Sequence, residues 1–258
     1  MAEPKRPADS ILRSEHPAPG LPPKRLRRIL RHGTVEAMEM IPWSSNYTFA
    51  VKLKLEGEPE AIAVYKPKRG ESPLWDFPNG TLYKREYAAY LASRILGWQF
   101  IPPTVVRDGP YGIGTVQHFV EHDRGADFFQ YKADFAEQLQ RIALFDLIAN
   151  NADRKGGHCL KGVDGIIWGI DHGLTFHPQG KLRTVIWDFG GEAIPDLLLQ
   201  DLERFSADPD RCTRMRSVLS ELLDPIEVEI FFDRIQRALE VRTYPIIGSR
   251  RSVPWPWH

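Results

Sequence analysis

Apolar and polar positions alternate over two stretches near the amino terminus, residues 47–54 (Tyr-Thr-Phe-Ala-Val-Lys-Leu-Lys) and 61–66 (Ala-Ile-Ala-Val-Tyr-Lys). Period-two alternation rich in β-branched and aromatic residues predicts strands. The segment between them, Glu56-Gly57-Glu58-Pro59-Glu60, carries turn residues and predicts a hairpin. A helix is expected at about 81–96, then short strands at 101–106 and 114–120. From residue 133 the period changes. Phe135, Leu139, Ile142, Ala143 and Leu147 recur at helical spacing over 133–149. Two more short strands are expected near 158–161 and 166–170, and helices at about 195–205, 209–223 and 226–240. Asp224 before Pro225 reads as a helix cap followed by a first-turn proline. A small strand-rich half thus precedes a larger helical half, which predicts an α+β protein of two lobes with a cleft between them.

Charge changes this picture at one end only. Residues 1–31 hold eight Lys/Arg, three acids and six prolines, a local charge of +5 in a chain whose formal net charge is +0. That composition predicts a flexible basic, proline-rich tail over 1–32, with the strand-rich lobe at 33–120 and the helical lobe at 121–258. With 34 basic residues balanced by 34 acidic ones, no nucleic-acid-binding field covers the molecule. Two cysteines, Cys159 and Cys212, are too few for a disulfide framework, and no apolar run is long enough to span a bilayer. The expected location is cytoplasmic.

The candidate chemistry lies in Asn150-Asn151-Ala152-Asp153-Arg154-Lys155-Gly156-Gly157-His158, a polar, glycine-containing segment directly after an apolar helix. Asp171 follows Asp153 by eighteen residues, at the end of the apolar run Ile166, Ile167, Trp168, Ile170. Two strands joined by a tight turn would bring both carboxylates to one edge. One can then orient a hydroxyl and accept its proton, and the other can ligate Mg²⁺ at nucleotide phosphates. In the strand 61–66, Ile62, Val64 and Lys66 share a face. A lysine ending an apolar face suits an anion, and Glu86 on the next helix, beside the Tyr83, Tyr87 and Tyr90 stripe, is its expected partner.

The strings Asn151-Ala152-Asp153-Arg154 and Ile170-Asp171-His172-Gly173-Leu174-Thr175-Phe176 resemble the catalytic and metal-binding loops of the phosphatidylinositol 3/4-kinase-like group, the type II phosphatidylinositol 4-kinases above all. Gln117-His118-Phe119-Val120-Glu121 resembles that group's hinge, whose backbone binds adenine. The whole is similar to an actinobacterial family of uncharacterised members of this protein-kinase-like superfamily, over roughly residues 35–240. The resemblance implies a kinase that uses ATP and Mg²⁺, with an unknown protein, lipid or small-molecule acceptor. It implies Asp153 as the base in a catalytic loop with Arg154, and Asp171 as a metal ligand. It implies Lys66 as the phosphate contact with Glu86, and Phe119, Val120 and Glu121 at the adenine. Ser44, Ser45 and Asn46 stand where a phosphate-covering loop belongs, without its glycines. His158 stands where the group has a metal-binding Asn, which implies Mn²⁺ in place of Mg²⁺, a single metal site, or a nucleotide-binding protein of reduced activity. AMP transfer is a further alternative.

Two decoys accompany these motifs. Asp188-Phe189-Gly190 spells the protein-kinase metal motif, but it lies 35 residues after Asp153 and precedes a helix, so a structural role is expected. His158, Cys159, His172 and His177 do not match common zinc spacings.

Overall fold

A computed structural model describes residues 11, 21–42, 46–248 and 252–256. The chain divides into two compact units, one formed by Met1–Tyr83 with Pro103–Phe119 and the other by Lys84–Pro102 with Val120–His258.

The first unit is a helix on an antiparallel sheet. Strands β1 (Thr34–Met40), β2 (Phe49–Lys54), β3 (Ala61–Pro67), β4 (Thr104–Gly109) and β5 (Gly112–His118) take the order β1-β2-β3-β5-β4. The expected hairpin is β2–β3, with Leu53 opposite Ala61. β4 starts three residues later than the apolar run suggests, because Pro102 and Pro103 have no N–H for a ladder. The charge and proline content predicts a solvated tail through residue 32. Instead, Pro23–His32 form helix α1. Pro23 sits in its first turn, where a missing N–H costs nothing. Leu26, Ile29 and Leu30 recur on one side and are buried against Val51, Ala63, Tyr65, Val105 and Val116, while the basic residues lie between them in sequence. Arg107 closes the helix by donating to the Gly33 carbonyl at 2.6 Å, a cation at a helix carboxyl end.

This core uses one sheet face only. Ala61, Ala63 and Tyr65 point into it, so Ile62, Val64 and Lys66 lie on the face away from α1. Lys66 is half-buried and pairs in register with Thr115 of β5. The strands come close here: a Cβ on Gly114 would lie 2.3 Å from the Lys66 carbonyl oxygen.

The second unit is mainly helical. Helix α2 (Leu82–Leu96) begins at the end of the first unit and runs into this one. It is followed by α3 (Phe128–Tyr131), α4 (Ala136–Ala149), the hairpin strands β6 (Cys159–Lys161) and β7 (Ile167–Gly169), α5 (Asp196–Ser206), α6 (Pro209–Ser220) and α7 (Pro225–Val241). Its core joins Ala88, Ala92 and Leu96 of α2, Leu139, Ile142 and Phe145 of α4, and Phe231 and Ile235 of α7. Asp224 caps α7 by accepting from the Ile226 N–H at 3.0 Å, and Glu227 completes the capping box by accepting from the Asp224 N–H at 3.1 Å. The other Glu227 oxygen takes the buried Arg85 guanidinium at 2.6 Å, tying α7 to α2. Among the described residues, no helix is long and apolar enough to cross a membrane.

Candidate active site

α4 ends because Asn150 adopts a left-handed conformation, φ 53°, a backbone that Asn tolerates better than most residues. Its amide then locks the exit: Nδ2 donates to the His177 and Gln179 carbonyls at 2.8 and 2.6 Å, and Oδ1 accepts from the Lys181 N–H at 2.8 Å. The chain turns through residues 151–158 into β6. β6 pairs with β7 so that Cys159 faces Gly169, and the Ile170 N–H donates to the His158 carbonyl at 2.9 Å. The hairpin expected from the eighteen-residue spacing therefore brings the segment after Asp153 beside the segment before Asp171.

Asp153 is half-buried, and its N–H donates to Asn151 Oδ1 at 3.0 Å. Burial pushes its carboxyl above the ordinary carboxylate value; the Lys155 ammonium, 3.2 Å from Oδ2, opposes this, and the charge of Asp171 adds to it. Asp171 is itself left-handed, φ 60°, which is uncommon for a residue with a Cβ and is seen at sites where strain serves a purpose. Its Oδ2 lies 3.3 Å from His158 Nε2. His158 Nδ1 lies 2.8 Å from the Asp153 carbonyl oxygen, closer than the Lys155 N–H at 3.4 Å. A carbonyl can only accept, so the shorter contact places the proton on Nδ1. In the neutral ring, Nε2 then offers a lone pair to a carboxylate oxygen. Two such electron-rich atoms stay together when a cation, either a proton or a metal ion, lies between them. One imidazole nitrogen and one carboxylate oxygen suit a divalent transition ion such as Mn²⁺ better than Mg²⁺, which prefers oxygen throughout. Among the described residues no cluster of three or more His, Cys, Asp and Glu side chains is gathered to hold a metal ion, so these two atoms supply only part of a coordination shell.

Arg154, grouped in the sequence with the catalytic loop, faces away from this edge. It is fully buried and donates to Asp146 twice, Nε to Oδ2 at 2.8 Å and Nη2 to Oδ1 at 2.9 Å. Nη1 reaches the Ile170 and His158 carbonyls at 2.9 and 3.2 Å, and Nη2 lies 2.7 Å from His172 Nε2. It has no surface with which to meet a substrate; it is a positioning residue that holds both loops to α4. Asp146, which also accepts from Asn151 Nδ2 at 2.9 Å, escaped the sequence reading. The signal was there: Asp146 shares the buried side of an apolar helix with Leu139, Ile142 and Ala149, and a buried acid needs a partner. Glu86 belongs to the same support. It is 2% exposed and accepts the His172 N–H at 3.1 Å, fixing the residue after Asp171 to α2.

The remaining expectations are scattered. Ser44 and Ser45 lie outside the described residues. Asn46 Oδ1 accepts from the Ser72 N–H at 2.8 Å within the first unit. In the expected hinge, the Phe119 N–H donates to the Ile62 carbonyl at 3.1 Å. The Val120 carbonyl contacts His122 Nδ1 at 2.8 Å, and the Glu121 carbonyl accepts from the Val163 N–H at 3.1 Å. These three backbone groups thus have partners inside the protein. Asp188 pairs with Lys132 at the surface. Burial pushes the Cys159 thiol up to about 12.

No family model matches the chain. Protein Rv2133c of Mycobacterium tuberculosis is 36% identical over 266 aligned residues, 88% of this chain and 94% of that protein. Phosphatidylinositol 4-kinase gamma 3 of Arabidopsis thaliana is 29% identical over 105 residues, 38% of this chain and 18% of the kinase. Among solved structures, hydra Fam20 with sugar superposes with a TM-score of 0.57 at 13% identity, covering 84% of this chain and 87% of that one. The Golgi casein kinase with Mn/ADP bound superposes with a TM-score of 0.53 at 15% identity, covering 89% and 77%. At such identities the structures speak for the fold, which is α+β and protein-kinase-like. By its identity and coverage, the chain belongs to the family of the Mycobacterium tuberculosis protein Rv2133c.

Proposed function

We propose that the protein is an ATP-dependent phosphotransferase acting on a hydroxyl acceptor. The observation that carries this reading is the arrangement at the β6–β7 hairpin: a desolvated Asp153 on one side, and on the other Asp171 against His158 Nε2 at 3.3 Å. Asp153 is the base. A raised carboxyl pKa makes the ionised group a better proton acceptor than an ordinary surface aspartate. As the acceptor oxygen bonds to the γ-phosphorus and the bond to the bridging oxygen of ADP breaks, the hydroxyl proton passes to Asp153. Asp171 and His158 would contribute two ligands to a divalent ion, the rest coming from the nucleotide phosphates and water, and that ion would neutralise charge on the phosphate oxygens. Lys66, ending the apolar row of β3, contributes the phosphate contact of the first unit. The Golgi casein kinase structure with Mn/ADP bound supports a nucleotide with a divalent ion on this fold.

Incubation with γ-labelled and, separately, α-labelled ATP in cell extract tests this. Label from the γ position on a product, lost in Asp153→Asn, is the expected result. Label from the α position on the product would replace phosphoryl transfer by AMP transfer. Bound ATP with neither label transferred would make the protein a non-catalytic nucleotide binder, the reading that His158 in place of an oxygen ligand favours.

A further inference from the structure

The loop that carries Asp153 is braced by backbone as well as by the Arg154 side chain. It pairs with residues 183–185 as a parallel strand would. The Arg183 N–H donates to the Asn151 carbonyl at 2.9 Å, the Arg154 N–H to the Arg183 carbonyl at 3.0 Å, and the Val185 N–H to the Arg154 carbonyl at 3.0 Å. Thr184, opposite Arg154, is 3% exposed, and its own N–H donates instead to the Ser252 carbonyl at 3.0 Å. The Trp187 indole N–H donates to the same carbonyl at 3.2 Å. A short ladder thus runs from the Asp153 loop through 183–185 to the carboxyl-terminal segment.

That segment is attached twice, and unequally. At the first place Tyr244 is buried. Its N–H donates to the Glu192 carbonyl at 2.9 Å, its carbonyl accepts the Gly191 N–H at 3.0 Å, and its hydroxyl donates to the Gln140 carbonyl of α4 at 2.8 Å. Residues 245–248 are then exposed. At the second place the Ser252 carbonyl takes both donors, Pro254 is buried, and Val253 packs on the core while only partly buried. The second attachment can therefore open while the first holds. Opening takes this acceptor from the Thr184 N–H. A buried backbone donor without an acceptor is costly, so residues 183–185 must shift toward water to satisfy it. Those are the residues on which the Arg154 backbone rests.

We propose that Ser252–Pro254 is a latch that positions the Asp153 loop. Seated, it holds Thr184, and through 183–185 it holds the backbone on either side of Asp153. Released, it lets that loop loosen, so that phosphoryl transfer slows while nucleotide still binds. This last consequence rests on the kinase reading; the positioning does not. Ser252 and Trp187 are positioning residues here, since neither lies in the loop that carries the base.

Amide hydrogen exchange on the full chain, without nucleotide, tests the latch apart from the kinase reading. Pro254→Asp places a charge where the proline is buried and should release residues 252–254. Thr184 then loses its partner directly. The informative amides are those of Arg154, Arg183 and Val185, whose bonds run between the two inner segments. They should exchange roughly tenfold faster or more, while the amides of α7 and of Tyr244 keep the parent's rates. Trp187→Phe keeps an aromatic ring but removes one donor to the Ser252 carbonyl, and it should give the same pattern at smaller amplitude. Faster exchange confined to Thr184, or unchanged rates in both variants, would overturn the proposal. Acceleration throughout the second unit would show these residues to be ordinary core and overturn it as well. With labelled ATP, Pro254→Asp should lower kcat roughly tenfold and leave KM for ATP within about twofold of the parent. An unchanged kcat beside faster exchange would overturn the control of transfer. A parent that transfers no label would remove the kinase reading, and the exchange rates would still decide the latch.

Discussion

Replacing Asp146 by Asn removes the counter-charge of Arg154 while keeping the side chain's shape. Both side chains are 0% exposed, and the carboxylate takes three hydrogen bonds of 2.8–2.9 Å, two from Arg154 and one from Asn151. Burial works against the charged guanidinium, and Asp146 outweighs it, so that the Arg154 pKa is raised. With Asn at 146 the guanidinium keeps only neutral acceptors. Breaking one side of a buried pair costs about 3–5 kcal/mol, against ~0–1 kcal/mol for an exposed pair. In a chain of this length that is a fall in melting temperature of roughly 6–20 °C. Urea unfolding measures it as a lower midpoint at unchanged slope, read on the transition of the second unit. Arg154→Met is the other single variant, and it strands the Asp146 charge. The double variant strands neither, so its cost should fall short of the sum of the two by about 2 kcal/mol or more. A loss below ~1 kcal/mol for Asp146→Asn, or additive costs in the cycle, would refute the claim that this pair holds the two loops.

Asp153→Asn should abolish label transfer and yet raise the melting temperature at neutral pH. Burial raises the Asp153 pKa in the folded state, so its contribution is most favourable below the unfolded value of ~3.9 and is lost as pH rises through the folded value. The advantage of Asn should therefore shrink as pH falls toward that range, and an advantage unchanged across pH would contradict it. His158→Asn should shift nucleotide binding from a preference for Mn²⁺ to one for Mg²⁺; binding measured with each ion that keeps the parent's order would remove His158 from the ligand set. Asp171→Asn should abolish metal-dependent nucleotide binding, whereas Asp188→Asn, breaking only the surface pair with Lys132, should spare it and cost ~0–1 kcal/mol. The opposite pattern would exchange the two aspartates.

The elements that local pattern controls were legible in the chain. Alternation over 61–66 marked β3 and placed Lys66 on the face with Val64. The spacing between Asp153 and Asp171 anticipated the β6–β7 hairpin. α1 was not legible from composition, because the charge and prolines of residues 1–31 outweighed three apolar positions. Leu26, Ile29 and Leu30 bury one helix face whatever the charge around them, and most of the prolines lie before the helix begins. Periodicity was the better guide there, since the cost of ordering ten residues is met by packing against the sheet rather than by helix propensity.

The assignment of Arg154 failed for a different reason. Asp153 and Arg154 are neighbours in one motif and read together as chemistry. In an extended segment, however, neighbouring side chains point to opposite sides. The loop runs between solvent and the end of α4, so one of the two must face in. The carboxylate, with a lysine beside it, keeps the open side and remains reachable. The guanidinium turns inward, where Asp146 can take two of its donors, and the carbonyls of His158 and Ile170 with the ring of His172 take up its others. That division also explains why the support is charged and not apolar. A leucine at 154 could fill the space but could not hold the carbonyls of both loops at once. The relative placement of Asp153, His158 and Asp171 depends on those two segments being fixed to the same group.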